Sequence, residues 1–169
     1  GIQNIPYSGL KARCMLGLAQ AKPDETYDRL MKMVKNPDSD LQKEALKLLG
    51  RLAGENKFNQ QQKDKILEIL IARTTGTMNN IYYHAAILGL DAMKNKRAIP
   101  AISGLKAGMM VNEDVQRAAL RSLLLTYHDD SVVPILTGMF EDSFMSTNDE
   151  YDRYFAGTVL IEGGKKEGF

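Results

Sequence analysis

Tryptophan is absent from this 169-residue chain, cysteine occurs once, histidine twice and proline five times, and aromatic residues make up only 7%. A single thiol, Cys14, excludes an intramolecular disulfide framework and any cysteine-based metal cluster, and it leaves the compartment open. No apolar run approaches the ~18 residues needed to span a bilayer, so no membrane span is expected. An excess of one charge is missing too. Lys and Arg total 22 against 21 Asp and Glu, a net charge of +1, so no overall field draws the chain to nucleic acid or to a membrane surface. Sustained alternation of apolar and polar residues, the mark of a half-buried strand, is also lacking. The sequence opens at Gly1 without Met, and we expect its native beginning to lie elsewhere. A removed signal peptide is left open, with the cytoplasm otherwise favoured.

Apolar residues are plentiful at 44%, charged residues stand at 25%, and Met occurs nine times. That composition suits one folded domain of stacked aliphatic helices, with methionine as pliable core filling. A repeat supplies the organisation. KRAIPAISGL at 96–105 returns thirty-four residues later as DSVVPILTGM at 130–139. Both copies carry proline in a first helical turn, where a missing N–H costs nothing. TYDRLMKMV (26–34) and KDKILEILI (63–71) have the same pattern, with Arg29 and Lys65 at the proline position. The anchors 29, 65, 100 and 134 are therefore 36, 35 and 34 apart.

A second set alternates with these: LKARCMLGLA (10–19), LQKEALKLLG (41–50), IYYHAAILGL (81–90), VQRAALRSLL (115–124) and YDRYFAGTVL (151–160). Their fifth column reads Cys14, Ala45, Ala85, Ala119, Phe155. Small residues there allow close helix approach, and Cys14 is expected to be a buried thiol. Ser39-x-x-Gln42 and Thr147-x-x-Glu150 read as capping boxes, and Asn112 as an N-cap. We expect nine helices in an all-α fold, with repeats at 8–36, 37–74, 78–110, 112–142 and a partial one at 147–163, forming one domain.

A repeat of this length, with second helices reading x-A-I-P-A-I or x-V-V-P-I-L, resembles the HEAT-repeat family, in particular the short bacterial type of phycobilin-lyase-like proteins. Val115, Arg117, Ala118 and Ala119 carry the likeness in a first helix, and 98–102 and 132–136 carry it in second helices. The pattern of tetratricopeptide repeats is not met. The resemblance implies a right-handed α-α solenoid of about four and a half helix pairs, with second helices lining a concave groove.

On that footing the solvent-facing residues of the second helices follow from 100° steps around each wheel. One column reads Arg29, Lys65, Pro100, Pro134, and a parallel one Lys32, Glu68, Ser103, Thr137. Adding Arg97 and Glu141 makes the binding candidates Arg29, Lys32, Lys65, Glu68, Arg97, Ser103, Thr137 and Glu141. Charge is polarised along the chain. Residues 1–50 carry 8 basic and 6 acidic groups, 51–108 carry 9 and 4, and 109–169 carry 5 and 11, for nets of +2, +5 and −6. Such polarity suits a bipolar partner or head-to-tail self-association.

Chemistry finds little footing. His84 and His128 are the only imidazoles, and His128-Asp129-Asp130 falls at a turn where Asp side chains commonly cap. GTVLIEGGKK fails the phosphate-loop spacing, with five residues between Gly157 and Gly163, and no nucleophile elbow or zinc motif occurs. HEAT-like hydroxylases bind iron through His-Glu pairs, which this sequence lacks. HEAT-like bilin lyases imply an aromatic-lined groove, and HEAT-like DNA glycosylases a strongly basic one. We therefore expect no catalytic residue, no metal and no cofactor. The expected function is a protein-interaction scaffold binding a protein or peptide, with no nucleic acid. A HEAT-like accessory enzyme using the same groove and a structural module of a longer chain are the alternatives.

Overall fold

A computed structural model describes residues 7–75, 80–106, 112–141 and 149–166. Those residues form helices and connections, with no strand among them. The order is α1 (Tyr7–Ala21), α2 (Pro23–Met33), α3 (Ser39–Gly54), α4 (Gln60–Thr75), α5 (Asn80–Met93), a 3₁₀ turn (Lys96–Ala98), α6 (Ile99–Ser103), α7 (Glu113–Leu125), a second 3₁₀ turn (Asp130–Val132), α8 (Val133–Glu141) and α9 (Asp149–Glu162). The protein is all-α. The chain forms two compact units, Gly1–Ala98 and Ile99–Phe169, and their boundary falls inside the third expected repeat.

In the first unit α3 is the hub, packing on α1, α2, α4 and α5. Leu41, Ala45, Leu48, Leu49 and Leu52 recur at helical spacing and are buried, as are Leu46 and Ala53 on the adjoining face. Facing them are Leu30 of α2, Ile66, Leu67 and Leu70 of α4, and Ala85, Ala86, Ile87 and Leu90 of α5. Area removed from water at about 25 cal/mol per Å² makes this apolar contact the main source of helix stability, since isolated helices of this length are marginal. In the second unit Val115, Ala119, Leu120, Leu123 and Leu124 of α7 pack with α6 and α9, and α9 packs also on α8.

The small-residue column is buried at Ala45, Ala85 and Ala119, but Cys14 is exposed. The physical reason is position. The alanines lie on the packed faces of their helices, whereas Cys14 lies on a side of α1 that its neighbours α2 and α3 leave uncovered. Ile135, in the stretch 132–136 that carries the repeat likeness, is likewise exposed.

The duplicated stretch folds the same way twice, as a 3₁₀ turn followed by a helix with proline at its second position, Pro100 and Pro134. The entrance is repeated as well. Lys94 and His128 adopt φ of 51° and 54°. The next residue of each copy, Asn95 or Asp129, accepts a side-chain bond at 3.0 Å from the N–H two residues on, of Arg97 or Ser131. With Asn56 and Gly164, a left-handed residue follows each of α3, α5, α7 and α9. Such a residue turns the chain out of a helix while leaving its last carbonyls partnered.

Caps set the other ends. Asn112 Oδ1 accepts from the Val115 N–H at 3.0 Å, as its sequence position suggested. At α3 the cap is Asp38 and not Ser39: the carboxylate accepts from Asp40 N at 2.9 Å and Leu41 N at 3.2 Å. Gln42 instead donates to the Asn36 carbonyl. Asp38→Ala is therefore expected to cost about 1 kcal/mol of stability and Ser39→Ala far less, read as the shift of the urea midpoint. Equal shifts would return the cap to Ser39. A reciprocal box that spacing did not single out opens α4, where Asn59 and Gln62 exchange bonds at 2.9 and 3.0 Å. Thr147 lies outside the described residues.

Candidate functional site

The second-helix residues of the first unit lie where the wheel places them, on solvent, but most of their charge is already engaged. Arg29 is exposed and pairs with Glu25 one turn earlier on α2. Hydrogen bonds from Lys22 and then Arg29 hold the Glu25 carboxyl below its ordinary range. Lys65 and Glu68 are exposed and face each other at 3.8 Å on α4. Pairs of this kind, in water and on one helix, are worth under about 1 kcal/mol each and are easily exchanged for a partner's groups. Lys32, in the last turn of α2, makes no ion pair with any described residue.

Arg97 has a different place. Its guanidinium meets Asp64 of α4 at 3.4 Å, at the start of the following helix. One repeat earlier Gln62 of α4 donates to Asp24 of α2 at 3.0 Å. Gln62 and Arg97 each stand three residues before an anchor, at 65 and 100. Within the first unit Arg97 is thus held against α4 from the 3₁₀ turn at 96–98, ahead of its anchor and not beside it.

Beyond the Asp24–Gln62 rung a cleft of about 600 Å³ opens between the carboxyl ends of α2 and α4. Met31, Val34 and Lys35 form one wall, Ile69, Ala72 and Arg73 the other, with Gln42 of α3 and Tyr82 of α5 completing it. The Arg73 guanidinium lies over the Tyr82 ring, 4.9 Å from its centre, a cation–π contact. Gln42 Oε1 is buried without a hydrogen-bond partner. Its volume lies in the range of small-molecule and peptide sites. The candidate columns miss this cleft because they run through the anchor and the residue three later. The cleft's lining falls between and just past these columns, and the alternation of Met31, Val34 and Ile69 with Lys35 and Arg73 was its only trace.

In the second unit Ser103 of α6 and Thr137 of α8 are half-buried, and Glu141 is exposed where α8 ends. Another cleft of about 430 Å³ lies between α8 and α9, with Phe140, Tyr154 and Ile161 among its walls. Each unit thus holds its own share of the eight candidates.

The imidazoles have ordinary settings. His84 is exposed on α5, and His128 is the left-handed residue after α7. Asp129 caps the following turn, and Asp130 pairs with Lys165 at 2.6 Å. Among the described residues no group of three or more His, Cys, Asp and Glu stands close enough to hold a metal ion. No described helix is long and apolar enough to cross a membrane. Compared with protein-family models, curated proteins and solved structures, the chain matches none.

Proposed function

We propose that the chain is a non-catalytic protein-interaction module. Its helix pairs stack as a right-handed, HEAT-like α-α solenoid, and a protein or peptide partner lies against the second helices. The observation that carries this reading is the α2–α4 face of the first unit: an apolar-walled cleft lined also by Lys35 and Arg73, on helices that carry the exposed Lys32 and Lys65. Recurrence of one helix-entry device at a spacing of thirty-four residues supports the repeat architecture. Basic groups around an apolar surface favour a partner with acidic and apolar residues, and would speed its approach more than they hold it.

The test is quantitative binding after cross-linking has identified a partner. Lys32→Glu with Lys65→Glu is expected to weaken the purified partner at least about tenfold, equivalent to about 1.4 kcal/mol, while leaving the melting curve in place. Raising the salt should narrow the difference. Equal affinity of the wild type and the doubly reversed variant would remove this face from the proposal.

A further inference from the structure

We infer that the α2–α4 cleft takes the free carboxyl terminus of a polypeptide whose last residue is apolar; this deepens, and rests on, the interaction-module reading. Three requirements meet in one small space. The first is anionic. Lys35, just past the end of α2, and Arg73 of α4 make no ion pair with any described residue, in contrast to Arg29 of α2 and Lys65 of α4. Every Asp and Glu of residues 1–98 is described, and none lines the cleft. The Arg73 guanidinium lies over the Tyr82 ring at 4.9 Å, and its planar fork suits the two oxygens of a carboxylate.

The second requirement is apolar. Met31 and Val34 face Ile69 and Ala72 across the opening, and an ion without a hydrocarbon part would leave these walls wet. The third is a donor. Gln42 Oε1 is buried and unpartnered, and a buried acceptor gains most from an N–H brought to it. A carboxyl-terminal residue carries a carboxylate, an apolar side chain and a backbone N–H on adjoining atoms. An Asp or Glu side chain within a peptide supplies the anion without the adjoining apolar group.

The experiment uses the full chain and fluorescein-labelled octapeptides of Gly, Ser and Ala ending in Leu, Ile or Phe, as free acids and as carboxyl-terminal amides, followed by fluorescence polarisation. Free acids are expected to bind saturably, and amides at least tenfold more weakly. Arg73→Gln should lose at least tenfold and Gln42→Leu severalfold, while Arg51→Gln, which alters an exposed α3 pair with Glu55, should change nothing. Melting curves establish that each variant is folded. Equal binding of acid and amide, no saturable binding by any free acid, or an unchanged Arg73→Gln variant overturns the inference. N-acetyl-leucine binding as tightly as the octapeptides overturns the polypeptide occupant in favour of a small carboxylate. If the peptides fail while partner affinity still falls with Lys32→Glu and Lys65→Glu, this inference alone is lost. If both fail, the module reading goes with it.

Discussion

Gly50→Ala is expected to destabilise the first unit by about 3 kcal/mol, at the upper end of what overpacking usually costs. Glycine normally weakens a helix interior by about 1 kcal/mol relative to alanine, so propensity alone points the other way. Contact decides the sign. A Cβ on Gly50 of α3 would overlap the Cα and carbonyl of Gly89 on α5. One on Gly89 would stand 2.9 Å from the Leu46 carbonyl oxygen and 3.0 Å from the Leu70 side chain. The obstruction at Gly50 is backbone, which cannot swing aside, so α3 and α5 would have to part along a face that buries Leu46, Leu49 and Leu90.

Gly17 of α1 supplies the comparison, because nothing lies within 4 Å of a Cβ placed there. Gly17→Ala should therefore stabilise by up to about 1 kcal/mol. Urea midpoints of both variants at constant slope read the two effects with opposite signs. A neutral or stabilised Gly50→Ala protein would mean that the two helices do not meet at their backbones.

In the second unit the largest polar effect is expected at Arg117, whose side chain is only 12% exposed. It bridges α7 to Asp152 of α9 at 2.6 Å and meets Asp114 at 2.9 Å on its own helix, with the Tyr151 ring centre 4.8 Å away. Burial pulls its pKa down, and hydrogen bonds to Asp114 and Asp152 more than restore it, leaving it above the ordinary arginine value. Arg117→Met should cost about 2 kcal/mol, because Asp152 stays behind in a half-buried site without its cation. Adding Asp152→Leu to that variant should recover more than half of the loss, since removing both charges also removes their desolvation cost. A simple sum of the two single losses would show that the pair is not coupled. The exposed pairs Lys22–Glu25 and Arg51–Glu55 should contribute far less.

Helix positions were legible because they rest on local periodicity. Segments 41–50, 81–90 and 115–124 lie within α3, α5 and α7, and the two proline-bearing copies fold alike. Ala45, Ala85 and Ala119 were legible as buried because their column recurs. Cys14 shares that column and is exposed, since a column states which residues are equivalent and not how many neighbours cover each one. The cap of α3 was misplaced by one residue because Asp38, Ser39 and Asp40 can all cap in principle, and only backbone direction selects Asp38. The outward positions of Arg29, Lys32, Lys65 and Glu68 followed from the wheel. Pairing of Arg29 with Glu25 was in reach of i, i+4 spacing, whereas the Asp24–Gln62 and Asp64–Arg97 rungs join residues 38 and 33 apart.

By itself the amino-acid order determined an all-α chain, its helix register, its repeated proline-bearing entrance and its lack of a recognisable catalytic motif. All of these depend on residues within a turn or two of each other, or on simple recurrence. Only the tertiary structure decided that α3 and α5 touch at Gly50 and Gly89, that Arg117 is held by Asp152, and that the ends of α2 and α4 enclose Lys35, Gln42, Arg73 and Tyr82. These features join residues from separate helices, and their distances are set by how side-chain volumes fit when the faces close, a quantity no periodicity encodes.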